Sequence, residues 1–158
     1  MLVVGEMPEP HPSAGEVRIR IAASGINPGD TKKRQDSFGV GMPYPRVIPH
    51  SDGAGQVDQV GEGVPSDWVG RPVWCYGAQS YRPFGTAAEF TVVPLDHVAP
   101  LPESVTPDQG ACLGIPALRP IALSMSGAMW RGGRCWYKGP EALLECVRQH
   151  SRVVPARA

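Results

Sequence analysis

Polar and hydrophobic positions alternate with period two in the segment EVRIRIAA, residues 16–23, where Val17, Ile19 and Ile21 separate polar side chains. This spacing predicts a strand that packs one face on a core and turns the other outward. Glycines on both sides of the segment bound the strand. It is the clearest periodic signal in the chain.

Further short strands are predicted between loops. The segment SDGAGQVDQVGEGV, residues 51–64, predicts one bent strand or two short ones, because glycines inside a strand mark bulges or close backbone approach. Strands are also predicted over residues 71–77 and 86–93, and residues 39–49 form an ordered loop without any period. Short strands at such intervals favour a β-barrel.

Helical signals are few and short. PGD at residues 28–30 has turn chemistry, and residues 31–35 predict a short basic helix. Thr106 and Pro107 form an N-cap followed by the proline favoured in the first helical turn, so a helix is predicted to begin at Pro107 and to include Leu113. Beyond Leu118 neither a strand alternation nor a helical stripe is found.

Composition and charge divide the chain at the same place. Glycine (19) and proline (18) are abundant and hydrophobic residues reach 42%, which suits a loop-rich β domain. Residues 1–118 carry 8 Lys/Arg and 13 Asp/Glu, whereas residues 119–158 carry 7 and 2. The acidic body gives no reason to expect nucleic acid, and no apolar run of about 18 residues exists to span a membrane. Without a signal-peptide pattern, a cytoplasmic protein is expected.

The four cysteines, at positions 75, 112, 135 and 146, are widely spaced and form no CxxC pair. A structural zinc or a redox dithiol needs such pairs, so free buried thiols are expected.

Five segments, in this order, resemble the medium-chain dehydrogenase/reductase superfamily, and within it the zinc-free NADPH:quinone oxidoreductases related to zeta-crystallin. The segments are GEVRIRIAASGINPGD, VIPHSDGAGQVDQVGEGV, VGRPVWCYG, GTAAEFTVVP and PDQGACLGIPAL. The resemblance covers about residues 2–118. It implies a mainly β fold, a GroES-like, partly open β-barrel with short helices that lacks the Rossmann domain.

The resemblance argues against a metal. Zinc-dependent relatives place a cysteine after the first long strand, where this chain has Asn27. Their GHEGAG pattern aligns with HSDGAG, residues 50–55, which puts Ser51 at the ligand position of the histidine. The four-cysteine zinc lobe is also missing. His50 beside Asp52 is the one remaining alternative for a metal site. The prediction is that the chain has no metal site.

Asn27 and Asp30 are the candidate cofactor-binding residues, because in the zinc-free family this position lies at the cleft where nicotinamide and substrate meet. The amide could orient a carboxamide or a substrate carbonyl, and the carboxylate could hold a ribose hydroxyl or a neighbouring base. The structural alternative is that Asn27 caps a turn and Asp30 is the N-cap of the short helix. Lys32 stands where many relatives have an aromatic residue, and catalytic residues are not identified.

The implied activity is NADPH-dependent reduction of a quinone or an activated enone. The chain would supply only the substrate-side domain, residues 1–118, and would bind NADPH weakly or not at all. Alternatives are a non-catalytic GroES-like binding module and a zinc-type alcohol dehydrogenase fragment. Relatives begin with one more strand, so an exposed sheet edge could lead to homo-oligomers or aggregation.

The tail, residues 119–158, is predicted to be unstructured or non-native, an out-of-frame translation. In the shifted frame, each codon consists of the third base of one printed codon and the first two bases of the next. This frame can encode only leucine across Cys135 and Trp136, and only valine across Trp136 and Tyr137. The surrounding codons permit VLVQGAGG, a strand that enters a dinucleotide-binding turn. The same shift over residues 119–123 permits TAHRA, the helix start expected in the family. A genuine divergent end and an engineered end are the alternatives.

Overall fold

The computed structural model describes residues 2–37 and 39–117, and this part of the chain is mainly strand, as predicted. Its strands are β1 (Glu16–Gly25), β2 (Asp52–Val60), β3 (Pro72–Cys75), β4 (Phe90–Pro94) and β5 (Val98–Pro100). Its α-helices are α1 (Pro28–Arg34) and α2 (Pro107–Gly110), and 3₁₀ turns lie at Ser66–Trp68 and Leu95–His97.

These five strands form one antiparallel sheet in the order β4-β1-β2-β3-β5. Hydrophobic side chains cover both of its faces, because neighbouring residues of a strand point to opposite sides. The larger cluster consists of Val17, Ile19, Val57, Val73, Cys75, Ala78, Val93 and Val98. The smaller one consists of Ala54, Trp74 and Ala99, against which Tyr76, Leu101 and Leu113 pack.

The predicted alternation of β1 is confirmed on its core face, where Val17 and Ile19 are fully buried. On the opposite face of β1, Arg18 is the one buried residue. Arg18 is 5% exposed and donates to Asp58 and Glu9, with its guanidinium 4.8 Å from the centre of the Phe90 ring. A charged side chain on this face can be buried because its charge is paired there.

The glycine-rich segment forms one strand, β2, and not two. Its pairing with β1 shifts register twice, between Arg18 and Ile19 and between Ile21 and Ala23, so β1 and β2 bend together. A Cβ at Gly55 would fall within contact distance of the backbone carbonyl of Arg20. Glycine is therefore needed at this position because the two backbones approach too closely for a side chain.

Helix α1 begins three residues earlier than predicted. Asn27 has extended backbone angles and is the N-cap, and Pro28 occupies the first helical turn. Asp30 therefore lies at the third helical position, so its prediction as N-cap is wrong. Proline suits the first helical turn because an N–H at that position would have no helical partner. The prediction of a turn over residues 28–30 did not use this signal.

Helix α2 begins at Pro107, as predicted, and is shorter than expected. The Thr106 hydroxyl accepts from the backbone N–H of Gln109, and the Gln109 side chain accepts from the Thr106 N–H. This reciprocal capping box satisfies two donors that a helix start leaves free. The α-helix ends at Gly110, and residues 111–114 continue as turns.

Two strand predictions were too long and one strand was not predicted. The strand expected over residues 86–93 begins only at Phe90, because residues 86–89 form bends, and the strand expected over 71–77 spans Pro72–Cys75. β5 has three residues, too few for a period to be visible in the sequence. It pairs with β3 and adds Val98 and Ala99 to the core.

Several predictions concern residues outside the described part of the chain: the tail interpretation of residues 119–158, the domain end at 118, and the expected burial of Cys135 and Cys146. Cys75 is buried, as expected, whereas Cys112 is exposed, so the prediction of a buried thiol is wrong there. Among residues 2–37 and 39–117, no helix has the length and apolarity needed to cross a membrane.

Gly55→Ala should destabilise the sheet strongly, because its Cβ would meet backbone atoms of β1 that cannot rotate away. We expect a loss of about 3 kcal/mol in the free energy of unfolding, the upper end of ordinary overpacking. Urea denaturation followed by circular dichroism measures this loss. Gly29→Ala is the matched control: it lies in α1 with nothing within 4 Å of the new Cβ, and should be neutral or stabilising. Equal stability of the two variants would contradict the close approach.

Candidate functional site

The carboxyl end of β1 and the amino end of β2 lie side by side and bring the candidate residues together. Gly25 pairs with Asp52, and Ser24 pairs with Gly53. The first residues after α2 approach the same place, since a Cβ at Gly25 would lie 2.5 Å from the backbone oxygen of Ala111. Three segments distant in sequence therefore meet at one end of the β1–β2 pair.

Asp52 is at the centre of this meeting point and is fully buried. Its Oδ2 accepts from the Asn27 side-chain amide at 2.8 Å and from the backbone N–H of Ile115 at 2.7 Å. Its Oδ1 has no hydrogen-bond partner within the described residues. A Cβ at Gly114 would collide with this carboxylate, so glycine is needed there. Asp52 thus joins the N-cap of α1 to the segment that follows α2.

Burial raises the pKa of the Asp52 carboxyl above its usual value, because the charged form is taken out of water. The hydrogen bonds from Asn27 and Ile115 oppose this rise in pKa, since both donate to the charged form. The nearby carboxylate of Asp30 adds to the rise, and Lys33 counteracts it weakly. Burial is the larger effect.

The two predicted site residues lie in this cluster, in capping positions. Asn27 is 3% exposed, and its side chain donates to Asp52. Asp30 is less buried, and its carboxylate accepts from the backbone N–H of Asn27 at 2.8 Å. The Asp30 carboxylate therefore caps the start of α1, whereas the Asn27 side chain bonds to Asp52 and makes no capping hydrogen bond. Their predicted contact with a cofactor stays a prediction.

Beside Asp52 lies a row of hydrogen-bonded side chains whose contact is not predicted from the sequence. The Thr86 hydroxyl donates to the backbone carbonyl of Asp52 at 2.6 Å. The Ser24 hydroxyl lies 2.9 Å from that of Thr86 and 2.9 Å from Nδ1 of His50. An imidazole, two hydroxyls and a carbonyl therefore form a continuous chain.

The backbone around His50 explains why the imidazole stands there. His50 has a φ of 72°, in the left-handed region, where the aligned GHEGAG pattern has glycine. Consecutive carbonyls of Ile48, Pro49 and His50 accept from the N–H groups of residues 85, 87 and 86 respectively. A Cβ at Gly85 would meet these carbonyls, so this close pairing requires glycine.

Lys33 forms the other edge of the cluster. Its ammonium donates to the Gln79 side-chain oxygen at 2.9 Å and lies 5.5 Å from the centre of the Tyr81 ring. Burial lowers the pKa of Lys33, while Asp30 and Asp52 act in the opposite direction. The result is a partly buried positive group on the side of α1 that faces Gln79.

Residues 2–37 and 39–117 contain no group of three or more His, Cys, Asp or Glu side chains placed to hold a metal ion. Ser51, at the aligned ligand position, is 2% exposed, and the nearest described cysteine along the chain, Cys75, is fully buried. Burial raises the pKa of the Cys75 thiol to about 12, so it remains protonated and is not a nucleophile.

The central role of Asp52 is not predicted from the sequence, which suggests this residue only as a metal partner of His50. Asp52 is separated from Asn27 by 25 residues and from Ile115 by 63. No local period connects such positions. A weak signal was present, because an acidic residue among small ones, in HSDGAG, is unusual at the start of a buried strand.

Comparison with known proteins places these residues in context. The family model of the alcohol dehydrogenase GroES-like domain matches residues 13–103. The mouse quinone oxidoreductase is 35% identical over 126 residues, covering 78% of this chain and 36% of its own length. The chain thus spans about a third of the length of this relative.

Solved structures show the same similarity. The Pseudomonas syringae quinone oxidoreductase has a TM-score of 0.68 at 29% identity, covering 82% of this chain and 38% of its own. A mycobacterial protein, Rv1454c, solved in complex with NADPH, has a TM-score of 0.65 at 30% identity, covering 80% and 36%. Both proteins are much longer than the part that is matched.

Asp52→Asn should change how stability depends on pH. The pKa of Asp52 is raised in the folded state above its unfolded-state value of about 3.8, so protonation of Asp52 stabilises the fold. This contribution is fully present at a pH below the unfolded-state pKa. This contribution is lost as the pH rises through the folded-state pKa. The free energy of unfolding of the parent, minus that of Asp52→Asn, should therefore fall as the pH rises from about 4 towards neutrality.

Urea denaturation of both proteins at a series of pH values measures this difference. Asp96→Asn is the control, because it makes the same substitution at an exposed aspartate. A difference that stays flat, or that grows with pH, would show that the Asp52 carboxyl is not destabilised by its burial.

Proposed function

Because the chain belongs to the alcohol dehydrogenase GroES-like domain family, we propose that residues 1–118 are the substrate-side domain of a zinc-free reductase of quinones or activated enones. The chain is quinone-reductase-like by its similarity to the mouse and Pseudomonas quinone oxidoreductases. The single observation that carries the proposal is the polar cluster around Asp52, which has an amide on its carboxylate and a row of two hydroxyls and an imidazole extending from its backbone carbonyl.

Each of these groups suits an oxygen-bearing acceptor. The Asn27 amide nitrogen carries two hydrogens, one of which is donated to Asp52, and the second can be donated to a carbonyl oxygen. Asp52 fixes the orientation of this amide, so little conformational freedom is lost when an acceptor binds. The proposed role of this domain is to hold the acceptor in place and to exclude water from it.

NADPH fits the described residues poorly. A dinucleotide pyrophosphate needs a glycine-rich turn at the start of a helix, and α1 and α2 have seven and four residues with no such turn before them. Asp30 has a second carboxylate oxygen that could accept from a ribose hydroxyl. We therefore propose that this chain alone binds NADPH weakly or not at all, and that any hydride donor is held by a nucleotide-binding domain.

The zinc-free assignment is supported by Asn27 and Ser51, which stand at the aligned positions of a cysteine and a histidine ligand. Stoichiometric zinc in the purified chain, measured by elemental analysis, would favour a zinc-type alcohol dehydrogenase instead. A ring-shaped oligomer by light scattering, without acceptor binding, would favour a non-catalytic GroES-like binding module.

Residues 119–158 are proposed to be an out-of-frame translation caused by one missing base near the codon of Leu118. The forced leucine and valine of the shifted frame support this, because no choice of codons could alter them. Sequencing the gene and its transcript tests the proposal. We expect the frame restored after Leu118 to encode TAHRA and then VLVQGAGG. Early stop codons, or no glycine-rich turn in that frame, would contradict it.

Acceptor binding by this chain is the test of the proposed function. Tetramethyl-1,4-benzoquinone is a suitable probe, because its fully substituted ring resists addition by the exposed Cys112 thiol. We expect saturable binding, observed as shifts of the Asn27 side-chain amide in NMR titrations. Asn27→Ser should weaken binding about fivefold to tenfold, the effect of one lost hydrogen bond.

Asp108→Asn is the matched control, an exposed acidic residue in the first turn of α2 that should leave affinity unchanged. Circular dichroism establishes that each variant is folded before its affinity is compared. Folded Asn27→Ser with parental affinity would exclude Asn27 from the site. No saturable binding by the parent chain would contradict the proposed function.

A further inference from the structure

Asp52, Thr86, Ser24 and His50 form a row of three hydrogen bonds, and the bond to the Asp52 carbonyl determines the direction of the other two. A carbonyl cannot donate, so the single hydroxyl hydrogen of Thr86 is used on the Asp52 carbonyl. Thr86 must then accept from Ser24 at 2.9 Å, which uses the only hydroxyl hydrogen of Ser24. Ser24 must in turn accept from His50, so Nδ1 of His50 carries a hydrogen.

This direction decides the chemistry of both Ser24 and His50. Ser24 is not an activated nucleophile, because activation requires its hydrogen to point at the imidazole, and that hydrogen points at Thr86. A neutral His50 that carries its hydrogen on Nδ1 has a lone pair on Nε2. The buried carbonyl of Asp52 thus sets the tautomer of an imidazole three hydrogen bonds away.

Nε2 of His50 makes no hydrogen bond to residues 2–37 or 39–117. It is not among their buried atoms without a partner, and His50 as a whole is half-buried, so this nitrogen is a candidate ligand contact at the edge of the cluster.

The position of the ring is fixed by more than one contact. The left-handed backbone of His50, which is unfavourable for a non-glycine residue, is held by the bond from the Thr86 N–H to the His50 carbonyl at 3.1 Å. The Ser51 carbonyl accepts from Ala78 at 2.9 Å on the other side. A backbone held in this way fixes the direction of the side chain.

We propose that Nε2 of His50 is the hydrogen-bond acceptor for the hydroxyl of the reduced ligand, a hydroquinone or an enol, when the imidazole is neutral. This proposal rests on the proposed function and names the form of the ligand that the site prefers. From β1 the neutral Ser24 hydroxyl contacts the ring, and the Thr86 hydroxyl lies behind it, bonded to Ser24. On its own segment the nearest carboxylate, Asp52, is engaged by Asn27 and Ile115. No described charged group is hydrogen-bonded to the imidazole and competes for this site.

The first test needs no ligand. Nitrogen-15 NMR of the imidazoles in the full chain at about pH 8, where histidine is ordinarily neutral, distinguishes the two tautomers. We expect His50 to carry its hydrogen on Nδ1, and Ser24→Ala to abolish this preference because Nδ1 then loses its acceptor. Exposed His11 is the internal reference and should not respond. A hydrogen on Nε2 in the parent protein would overturn the proposal.

The second test uses two probes that differ in a single hydrogen-bond donor. 4-Methylphenol has a phenolic hydroxyl like that of a hydroquinone, and 4-methylanisole is its methyl ether. We expect 4-methylphenol to shift Nε2 of His50 and to bind about fivefold to tenfold more tightly than the ether. His50→Asn should remove this difference, because asparagine tolerates a left-handed backbone and can replace Nδ1–H, but does not reach the position of Nε2.

The outcomes separate this inference from the proposed function. If tetramethyl-1,4-benzoquinone binds but 4-methylphenol does not shift the NMR signal of His50 Nε2, the His50 contact is overturned and the proposed function is not. Equal affinity for the phenol and its ether overturns it as well. Failure of the quinone and of both smaller probes to bind contradicts the proposed function and the His50 contact together. Loss of the phenol preference in folded His50→Asn supports the contact.

Discussion

The buried carboxylate of Asp52 is the interaction on which the candidate site depends. A charge that is taken out of water must be compensated by hydrogen bonds, and Asp52 obtains two donors from segments that are distant in the sequence. Leaving a buried polar group without its hydrogen-bond partner costs about 1–3 kcal/mol, and more when the group is charged, so the N-cap of α1 and the residues after α2 are held near β2. Their relative position is thereby fixed.

The same residue also orders the neighbouring hydroxyls, through its backbone and not its side chain. The carbonyl of Asp52 accepts from Thr86, and this bond sets the direction of the bonds to Ser24 and His50. Asp52 can serve both groups because a strand residue presents its carbonyl in the sheet plane and its side chain perpendicular to it. One position at the start of β2 therefore orients both the Asn27 amide and the His50 imidazole.

Sequence analysis predicted what local rules determine. The period of two identified β1, and Thr106 before Pro107 identified the start of α2. The glycines of β2 left one bent strand or two short ones open. The local rule failed at α1, where the structural alternative made Asp30 the N-cap and Asn27 the cap of a turn. The contacts of Asp52 could not be predicted, because its partners are brought near only when the strands pair. Three-residue β5 is too short for any period to appear.

The arrangement of the cluster limits what this domain can contribute to a reduction. Every described group near Asp52 is a hydrogen-bond donor or acceptor, the buried Cys75 thiol remains protonated, and no described set of ligands is suited to a metal. Such groups can orient a ligand oxygen and exchange a proton with it, but cannot supply a hydride. In the proposed reduction the hydride would come from a cofactor, and α1 and α2 are too short to provide its pyrophosphate site. Under the proposed function, these residues would therefore serve the proton side of the reaction and a nucleotide-binding domain the hydride side.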